Sequence, residues 1–303
     1  MTGATGLVGS AVVRDLLSAG HQVVGLARSD RAAAALTAVG AEVYRGSLDD
    51  PDGLRAAADA SDGAIHTAFT NISDTGDFAA ACEVERRAIE ALGGALAGSD
   101  RPLVVTSGTG LLPVGRLGTE EDLPDPDSPV ALRGAAEGVA LAFAGRGVRV
   151  SVVRLGASVH SDADKRGFVP SLIAIARAKG VAAYVGDGAN RWPAVHQLDA
   201  ARLYRLAVES APAGARLHGV GEEGVPMREI AAVIGRRLDV PVRSVSPQEA
   251  AGHFGFLAGF AGVDAPASSV LTQKLLGWQP EGVGLIADLE AGHYFTGGGV
   301  RRS

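Results

Sequence analysis

The chain has 303 residues, of which 47% are hydrophobic and 20% charged. This composition excludes wholesale disorder and suits one large α/β unit, or a main domain with a smaller lobe. The formal net charge of −6 argues against a nucleic-acid partner, which requires a basic surface. The single Cys82 excludes an internal disulfide and a cysteine-based metal cage, and no apolar run approaches the roughly 18 residues of a membrane span. We expect a cytoplasmic protein with no metal and no membrane partner.

The first predicted element is a glycine loop at the amino terminus. The chain begins MTGATGLVGS, with Gly3, Gly6 and Gly9 spaced by three, and AVVRDLLSAG follows with the pattern of a helix. Such a loop typically connects a buried parallel strand to a helix whose first turn faces a pyrophosphate. Only Met1 stands where that strand belongs. We therefore expect that the chain starts a few residues late, so that Met1 replaces the last residue of a truncated first strand. The fold should tolerate this loss poorly, because about five buried side chains contribute roughly 1.5–3 kcal/mol each.

Strands and helices alternate through the first half of the chain. Short apolar runs, typical of strands that are buried on both faces of a parallel sheet, occur at 21–28, 41–47, 63–69, 102–108 and 149–156. Helix-like stretches separate these runs, and many of them end in glycine. The alternation predicts an α/β fold with a doubly wound parallel sheet.

The second half of the chain is less regular and predicts a smaller, mixed α/β lobe. FVPSLIAIARAKG, LDAARLYRLAVES and MREIAAVIGRRLDV indicate helices, whereas ARLHGVG and PVRSV indicate strands. Ser246 stands three residues before Glu249, which is the spacing of a helix capping box. We expect a sheet domain at 1–156 and 194–221, a substrate-binding lobe at 157–193 and 222–296, and a disordered tail at 297–303.

The end of the run GLARSD indicates which dinucleotide the loop would bind. Arg28 stands where a dinucleotide-binding fold distinguishes its cofactors. An acidic residue there accepts the ribose 2′-hydroxyl of NAD, whereas arginine suits the 2′-phosphate of NADP. We expect NADP(H) to be preferred, and Asp30, two residues later, leaves NAD(H) possible. The alternative is that Arg28 is a solvated charge at the end of a strand.

Several motifs occur together and in a characteristic order. They are TGATGLVGS, DGAIHTAF, LVVTSGTG, RVSVVRLG, WPAVHQLDAARL and KLLGWQP. Through these motifs the chain resembles the extended and atypical short-chain dehydrogenase/reductases, which are often labelled NAD-dependent epimerase/dehydratases. The resemblance extends from residue 2 to about residue 282. The resemblance implies a Rossmann sheet, a nicotinamide cofactor and a small-molecule substrate.

The resemblance also implies roles for particular residues. The pyrophosphate would lie on Thr2, Gly3, Gly6, Leu7, Val8 and Gly9. The adenosine end would contact Arg28, Ser29, Leu48 and Asp49. The route to the nicotinamide would be lined by Thr67, Ala68 and Phe69. His196 and Asp199 would anchor the lobe in a structural role. The substrate would be faced by Asp187, Asn190, Arg191 and Trp192, with Trp192 supplying apolar contact.

The standard catalytic pair of this family is absent. Its dehydrogenases use a tyrosine that exchanges a proton with the substrate oxygen, and a lysine four residues later that lowers the tyrosine pKa. None of the four tyrosines in this chain has a lysine four residues later. When the family pattern is aligned on SPVALRGAAE, the tyrosine position holds Pro129 and the lysine position holds Arg133.

Other side chains are candidates for the missing chemistry. Ser107 and Thr109 stand where the family has a hydroxyl-bearing residue, although both could simply end a strand. Arg133 could hold a ribose or a carbonyl oxygen, but its pKa above 12 prevents it from relaying protons. His160 and Tyr184 lie on segments that border the substrate pocket in the family. Each is a candidate proton donor, with water as the alternative and a packed or surface position as the simpler interpretation.

We expect an NAD(P)-dependent oxidoreductase of atypical short-chain type, acting as a monomer or homodimer. It would move a hydride between NADP(H) and a carbonyl or alcohol of a small organic substrate. One alternative is a nucleotide-sugar epimerase or dehydratase, which the missing base disfavours. Another alternative is an NADP-binding regulator or redox sensor without catalysis, which the missing pair favours.

Overall fold

The computed structural model describes residues 1–70, 77–128 and 130–296. Pro129 and the tail predicted at 297–303 lie outside the described residues. The strands in chain order are β1 (Val24–Ala27), β2 (Glu42–Arg45), β3 (Ala64–His66), β4 (Pro102–Gly108), β5 (Arg149–Leu155), β6 (Ser158–His160), β7 (Ala182–Val185), β8 (Arg191–His196), β9 (Ala215–Gly219), β10 (Glu222–Pro226) and β11 (Val242–Val245).

The helices connect these strands and cover their faces. In chain order they are α1 (Leu7–Ser18), α2 (Asp30–Ala38), α3 (Pro51–Asp59), α4 (Phe78–Leu96), α5 (Ala131–Ala142), α6 (Phe168–Lys179), α7 (Gln197–Ser210), α8 (Met227–Leu238), α9 (Pro247–Phe254), α10 (Ala258–Ala261), α11 (Val270–Leu276) and α12 (Leu285–Glu290). Within the described part of the chain, no helix has both the length and the apolar character needed to cross a bilayer.

The main sheet is parallel and is built in two parts. β1 pairs with β2, while β3, β4, β5 and β9 pair in that order, and every neighbouring pair is parallel. α1, α2 and α7 pack on one face of the sheet, and α3, α4 and α5 pack on the other. This arrangement confirms the predicted doubly wound α/β fold.

Met1 and Thr2 lie between the two parts of the sheet and connect them. The Leu26 N–H donates to the Met1 carbonyl (2.9 Å), and the Thr2 N–H donates to the Ile65 carbonyl (3.0 Å). The α-ammonium of Met1 donates to the Val24 carbonyl (2.7 Å), and burial lowers its pKa to about 6. The central position of the sheet is therefore occupied by two residues, beside a cavity of about 30 Å³ whose lining includes Leu26, Tyr44, Leu54 and Leu92.

The lobe has its own apolar core. β10, β8 and β6 form one small sheet, and β11 pairs with β7 in another. α6, α8, α9, α10 and α12 enclose buried side chains such as Trp192 and Phe254. Ser246 and Glu249 form the predicted capping box at the start of α9, which confirms that local prediction.

Asp199, at the start of α7, attaches the carboxyl-terminal segment to the main domain. Its carboxylate accepts the backbone N–H groups of Glu281 (3.1 Å) and Gly282 (2.7 Å), and its carbonyl accepts the Trp278 indole N–H (3.0 Å). Trp278 is fully buried in the core that contains α1 and α7. A residue inside the predicted lobe range therefore packs with the sheet.

Candidate active site

The glycine loop follows Thr2 directly and turns into α1. Gly3 has a φ of +65°, which disfavours other residues, and a Cβ there would lie 2.6 Å from Thr67 Oγ1. A Cβ on Gly9 would collide with the Gly3 carbonyl oxygen. These glycines thus allow the tight turn and the close approach of α1 to the strand ends.

The first turn of α1 is left open to an anion. Gly6 is the N-cap and provides no side-chain cap, and the first turn contains no acidic residue. The N–H groups at a helix start and the helix dipole both favour negative charge. Leu7, Val8 and Gly9, which the sequence assigned to the pyrophosphate, form this first turn.

The candidate adenosine end lies where β1 and β2 finish. Arg28 is exposed and makes no ion pair with any described residue, whereas Asp30 is paired with Arg45 at 2.5 Å. Ser29 caps α2 by accepting the Ala32 N–H (3.2 Å). Arg28 therefore has a free guanidinium at the predicted 2′-phosphate position. Leu48 and Asp49 follow β2 at the same edge of the sheet.

The candidate nicotinamide side begins at the end of β3. Thr67, Ala68 and Phe69 are half-buried. Thr67 Oγ1 donates to the Thr2 carbonyl (2.9 Å), and the Ala68 N–H donates to Thr2 Oγ1 (3.4 Å). These bonds hold the predicted nicotinamide route against the glycine loop. α1 and α4 leave the sheet on opposite faces here, so the crevice is a topological switch point, where open α/β sheets bind ligands.

Alternation along β4 decides which way each hydroxyl points. Leu103 and Val105 belong to the core under α4 and α5, whereas Val104 belongs to the core under α1 and α7. Since side chains alternate across a strand, Ser107 continues the α4 and α5 face. Ser107 is buried, and its Oγ has no hydrogen-bond partner among the described residues. It is therefore a hydroxyl with free hydrogen-bonding capacity at the carboxyl edge of the sheet.

Thr109 has a different environment. It starts a short 3-10 turn after β4, is buried, and donates its Oγ1 hydrogen to the Leu155 carbonyl (3.3 Å). Its hydroxyl therefore ties the end of β4 to the end of β5. Of the two hydroxyls that the sequence could not separate, Ser107 is the one that remains available.

Arg133, the candidate at the lysine position, lies on α5 and is held by two neighbours. It donates from Nε and Nη2 to the two carboxylate oxygens of Glu85 on α4 (3.2 and 2.7 Å). Its guanidinium lies 4.3 Å from the ring centroid of Phe69. Burial raises the pKa of Glu85, and the nearby Arg133 charge acts in the opposite direction.

Glu85 belongs to this candidate site through its bonds to Arg133, and the sequence was not interpreted in that way although a signal was present. Along α4 the buried positions include Cys82, Glu85, Ile89, Leu92 and Leu96. This spacing of three and four residues is the apolar stripe of a helix that packs on a core. A carboxylate within such a stripe requires a partner, and the structure supplies Arg133.

The two candidate proton donors lie in the lobe. His160, on β6, is buried, and its Nδ1 is hydrogen-bonded to Asp288 (2.9 Å). Burial lowers the pKa of His160, and Asp288 partly offsets this. Tyr184, on β7, packs against the lobe core beside Gly188. The structure therefore groups Ser107 with the face of Arg133, and places His160 and Tyr184 on lobe strands.

The expectation that Trp192 faces the substrate is wrong. Trp192 is 2% exposed, stacks with Phe168 at 5.4 Å between ring centroids, and donates its indole N–H to the Phe260 carbonyl (3.3 Å). Arg191 is bound by the carboxylate of Asp264 at 2.9 Å. Both side chains stabilise the lobe.

Comparison with known proteins agrees with this geometry. The model of the NAD dependent epimerase/dehydratase family matches residues 1–218. The chain is 50% identical to the uncharacterized protein C2A9.02 of Schizosaccharomyces pombe, over 97% of this chain and 99% of that protein. It is 28% identical to the 2′-dehydrokanamycin reductase of Streptomyces kanamyceticus, over 81% of this chain and 68% of the reductase.

A solved structure shows the same fold. The dTDP-glucose 4,6-dehydratase DesIV of Streptomyces venezuelae, determined with NAD bound, superposes with a TM-score of 0.77 at 21% identity. The match covers 96% of this chain and 94% of the dehydratase. The extent of the family match and the open glycine loop lead to one conclusion: this chain belongs to the NAD-dependent epimerase/dehydratase family, whose members are generally enzymes.

Proposed function

We propose that this protein is an NADP(H)-preferring oxidoreductase that interconverts a carbonyl and an alcohol on a small organic molecule. The observation that carries the proposal is the unpartnered hydroxyl of Ser107, buried at the carboxyl edge of a sheet whose glycine loop is open to a pyrophosphate. The similarity to a reductase supports the carbonyl class of substrate.

The placement of the described residues supports the binding of a nicotinamide dinucleotide at the carboxyl edge of the sheet. The first turn of α1 would hold the pyrophosphate, and Thr67, Ala68 and Phe69 would line the nicotinamide end. Arg28 supports NADP over NAD because its guanidinium is unpaired, whereas the carboxylate of Asp30 is already bound by Arg45. The bound cofactor would supply or accept a hydride.

Ser107 would hold the reacting oxygen, since its hydroxyl is buried and available. Its O–H would donate a hydrogen bond to the carbonyl oxygen, where negative charge develops as the carbon is reduced. The proton that completes the alcohol would come from water or from His160, whose Nδ1 is bound to Asp288 and whose Nε2 has no partner among the described residues. This chemistry needs no tyrosine and lysine pair.

A turnover screen tests this proposal. The purified protein is given NADPH with panels of aldehydes, ketones and sugar nucleotides, and cofactor oxidation is followed by absorbance. We expect oxidation with members of the carbonyl panels and none with the sugar nucleotides. Tight NADPH binding without turnover on any panel would contradict the proposal and favour a regulator or sensor.

A further inference from the structure

The pair formed by Glu85 and Arg133 fixes a guanidinium at the nicotinamide end of the site. Glu85 is 2% exposed, and both of its carboxylate oxygens accept from Arg133. The ring of Phe69 covers one face of the guanidinium at 4.3 Å. Phe69 follows closely after His66, the last residue of β3, so this contact places the guanidinium near the carboxyl edge of that strand.

One edge of Arg133 remains unused. Its Nε and Nη2 are bound to Glu85, but Nη1 has no partner among the described residues, and 21% of the side chain is exposed. A second buried pair provides the contrast. Arg154 binds Glu137 through Nε (3.0 Å) and Nη2 (2.5 Å), and its Nη1 donates to the Asp122 carbonyl (2.9 Å).

The comparison indicates that the pair of Arg154 and Glu137 is structural, whereas the pair of Arg133 and Glu85 has a donor left for a ligand. Arg154 is fully buried, and each of its guanidinium nitrogens has an acceptor. Arg133 is bound to its glutamate through the same two nitrogens, Nε and Nη2, but presents a free donor edge beside Phe69. Because Glu85 balances its charge, this edge suits an uncharged oxygen, such as a hydroxyl, better than a phosphate or carboxylate.

We propose that Glu85 is a positioning residue that holds Arg133 so that Nη1 binds the hydroxyls of the ribose next to the nicotinamide. The inference rests on the proposed function, because it requires a nicotinamide dinucleotide on the glycine loop. Glu85 acts only through Arg133, so it contributes to cofactor binding without touching the cofactor.

Calorimetric titration with two probes tests this inference. NADPH contains the nicotinamide ribose, whereas 2′,5′-ADP contains only the adenosine half. We expect Glu85→Gln and Arg133→Met each to weaken NADPH binding about tenfold, which is the usual cost of losing a charge-assisted hydrogen bond. Binding of 2′,5′-ADP stays unchanged. The double variant binds NADPH no more weakly than Arg133→Met alone, because Glu85 acts through that residue.

Two matched variants distinguish a positioning effect of Glu85 from a general loss of protein stability. Glu137→Gln removes the carboxylate of the other buried pair, and Glu90→Gln removes one from an exposed pair on α4. Both should bind NADPH as the wild type does, although Glu137→Gln should melt at a lower temperature. Should Glu85→Gln fail to fold, Arg133→Met carries the comparison between the two probes.

Three results would overturn the inference. Wild-type NADPH affinity in Glu85→Gln would show that the pair does not position a donor. Additive losses in the double variant would show that Glu85 acts independently of Arg133. An equal loss for 2′,5′-ADP would show a general structural effect. If the wild-type protein bound neither probe, the proposed function would fail, and this inference with it.

Discussion

At the scale of single residues, Ser107 and Thr109 are distinguished by what their hydroxyls already bind. Thr109 Oγ1 donates to a carbonyl on β5, whereas Ser107 Oγ is buried with no partner among the described residues. A buried hydroxyl without a partner loses its hydrogen bonds to water and gains none from the protein. Ser107 therefore lowers stability slightly and is suited to bind a ligand oxygen.

This difference predicts opposite effects of two alanine substitutions. Ser107→Ala should leave the melting temperature unchanged or higher and should reduce NADPH-dependent turnover by roughly 100-fold, as expected for a lost donor to a developing oxyanion. Thr109→Ala should lower the free energy of unfolding by about 1 kcal/mol and largely keep turnover. Thermal melts and steady-state rates on a substrate from the carbonyl panels measure both. A larger loss of turnover in Thr109→Ala would reverse the assignment.

Candidate site residues that belong to a sequence motif could be predicted from the sequence. Residues whose place in the site depends on packing between distant segments could not. The glycine loop and Arg28 could be located because their spacing relative to a strand carries the information. Trp192 was placed wrongly because the sequence does not show which face of β8 packs on the lobe core. The partner of Arg133 lies 48 positions earlier in the chain, so only the folded arrangement of α4 and α5 reveals it.

At the scale of elements, the sheet strands were predictable and some lobe strands were not. β4 and β5 are rich in buried β-branched and apolar residues, which is typical of strands buried on both faces. β8 contains Pro193, which argues against a central strand because proline cannot donate to a neighbour. Nevertheless β8 lies between β10 and β6, with register shifts in its pairing to β10. Whether a strand tolerates a proline depends on how its neighbours pair with it in the folded protein. The local sequence pattern does not contain that information.

Because only Met1 and Thr2 occupy the centre of the sheet, residues added ahead of Met1 should change the stability of the protein. An extension of about five apolar, β-branched residues ahead of Met1 would fit between β1 and β3 and would replace a buried ammonium with an amide. We expect it to raise the free energy of unfolding by at least about 3 kcal/mol, from the burial of two or more side chains. Urea denaturation measures the change, and a glycine-serine extension of equal length is the control. Equal stability of the two extended forms would contradict the prediction.

At the scale of the whole molecule, three histidines are buried in different parts of the fold. His66 lies under the glycine loop, His160 joins β6 to α12, and His218 on β9 contacts the Ser268 carbonyl (2.7 Å). Burial is the main cause that lowers the pKa of each of the three. For His66 the pKa falls to about 4.

These shifts predict a loss of stability in mild acid. Because the folded pKa of His66 lies below its unfolded value of about 6.5, the unfolded chain binds more protons between these values. The stabilisation is complete above pH 6.5 and is lost as the pH falls toward 4, by roughly 3 kcal/mol for His66 alone. Urea denaturation between pH 7.5 and pH 5 measures this slope. The His66→Asn variant should show a shallower slope, and an unchanged slope would exclude His66 as the cause.

The central claim is that the glycine loop holds a nicotinamide dinucleotide and that Arg28 selects NADP. Fluorescence titration of the wild type and of Arg28→Ala with NADPH and NADH tests this claim most directly. The wild type should bind NADPH at least about tenfold more tightly than NADH, and Arg28→Ala should remove that preference by weakening NADPH alone. Equal affinities in the wild type, or no binding of either cofactor at millimolar concentration, would contradict the claim.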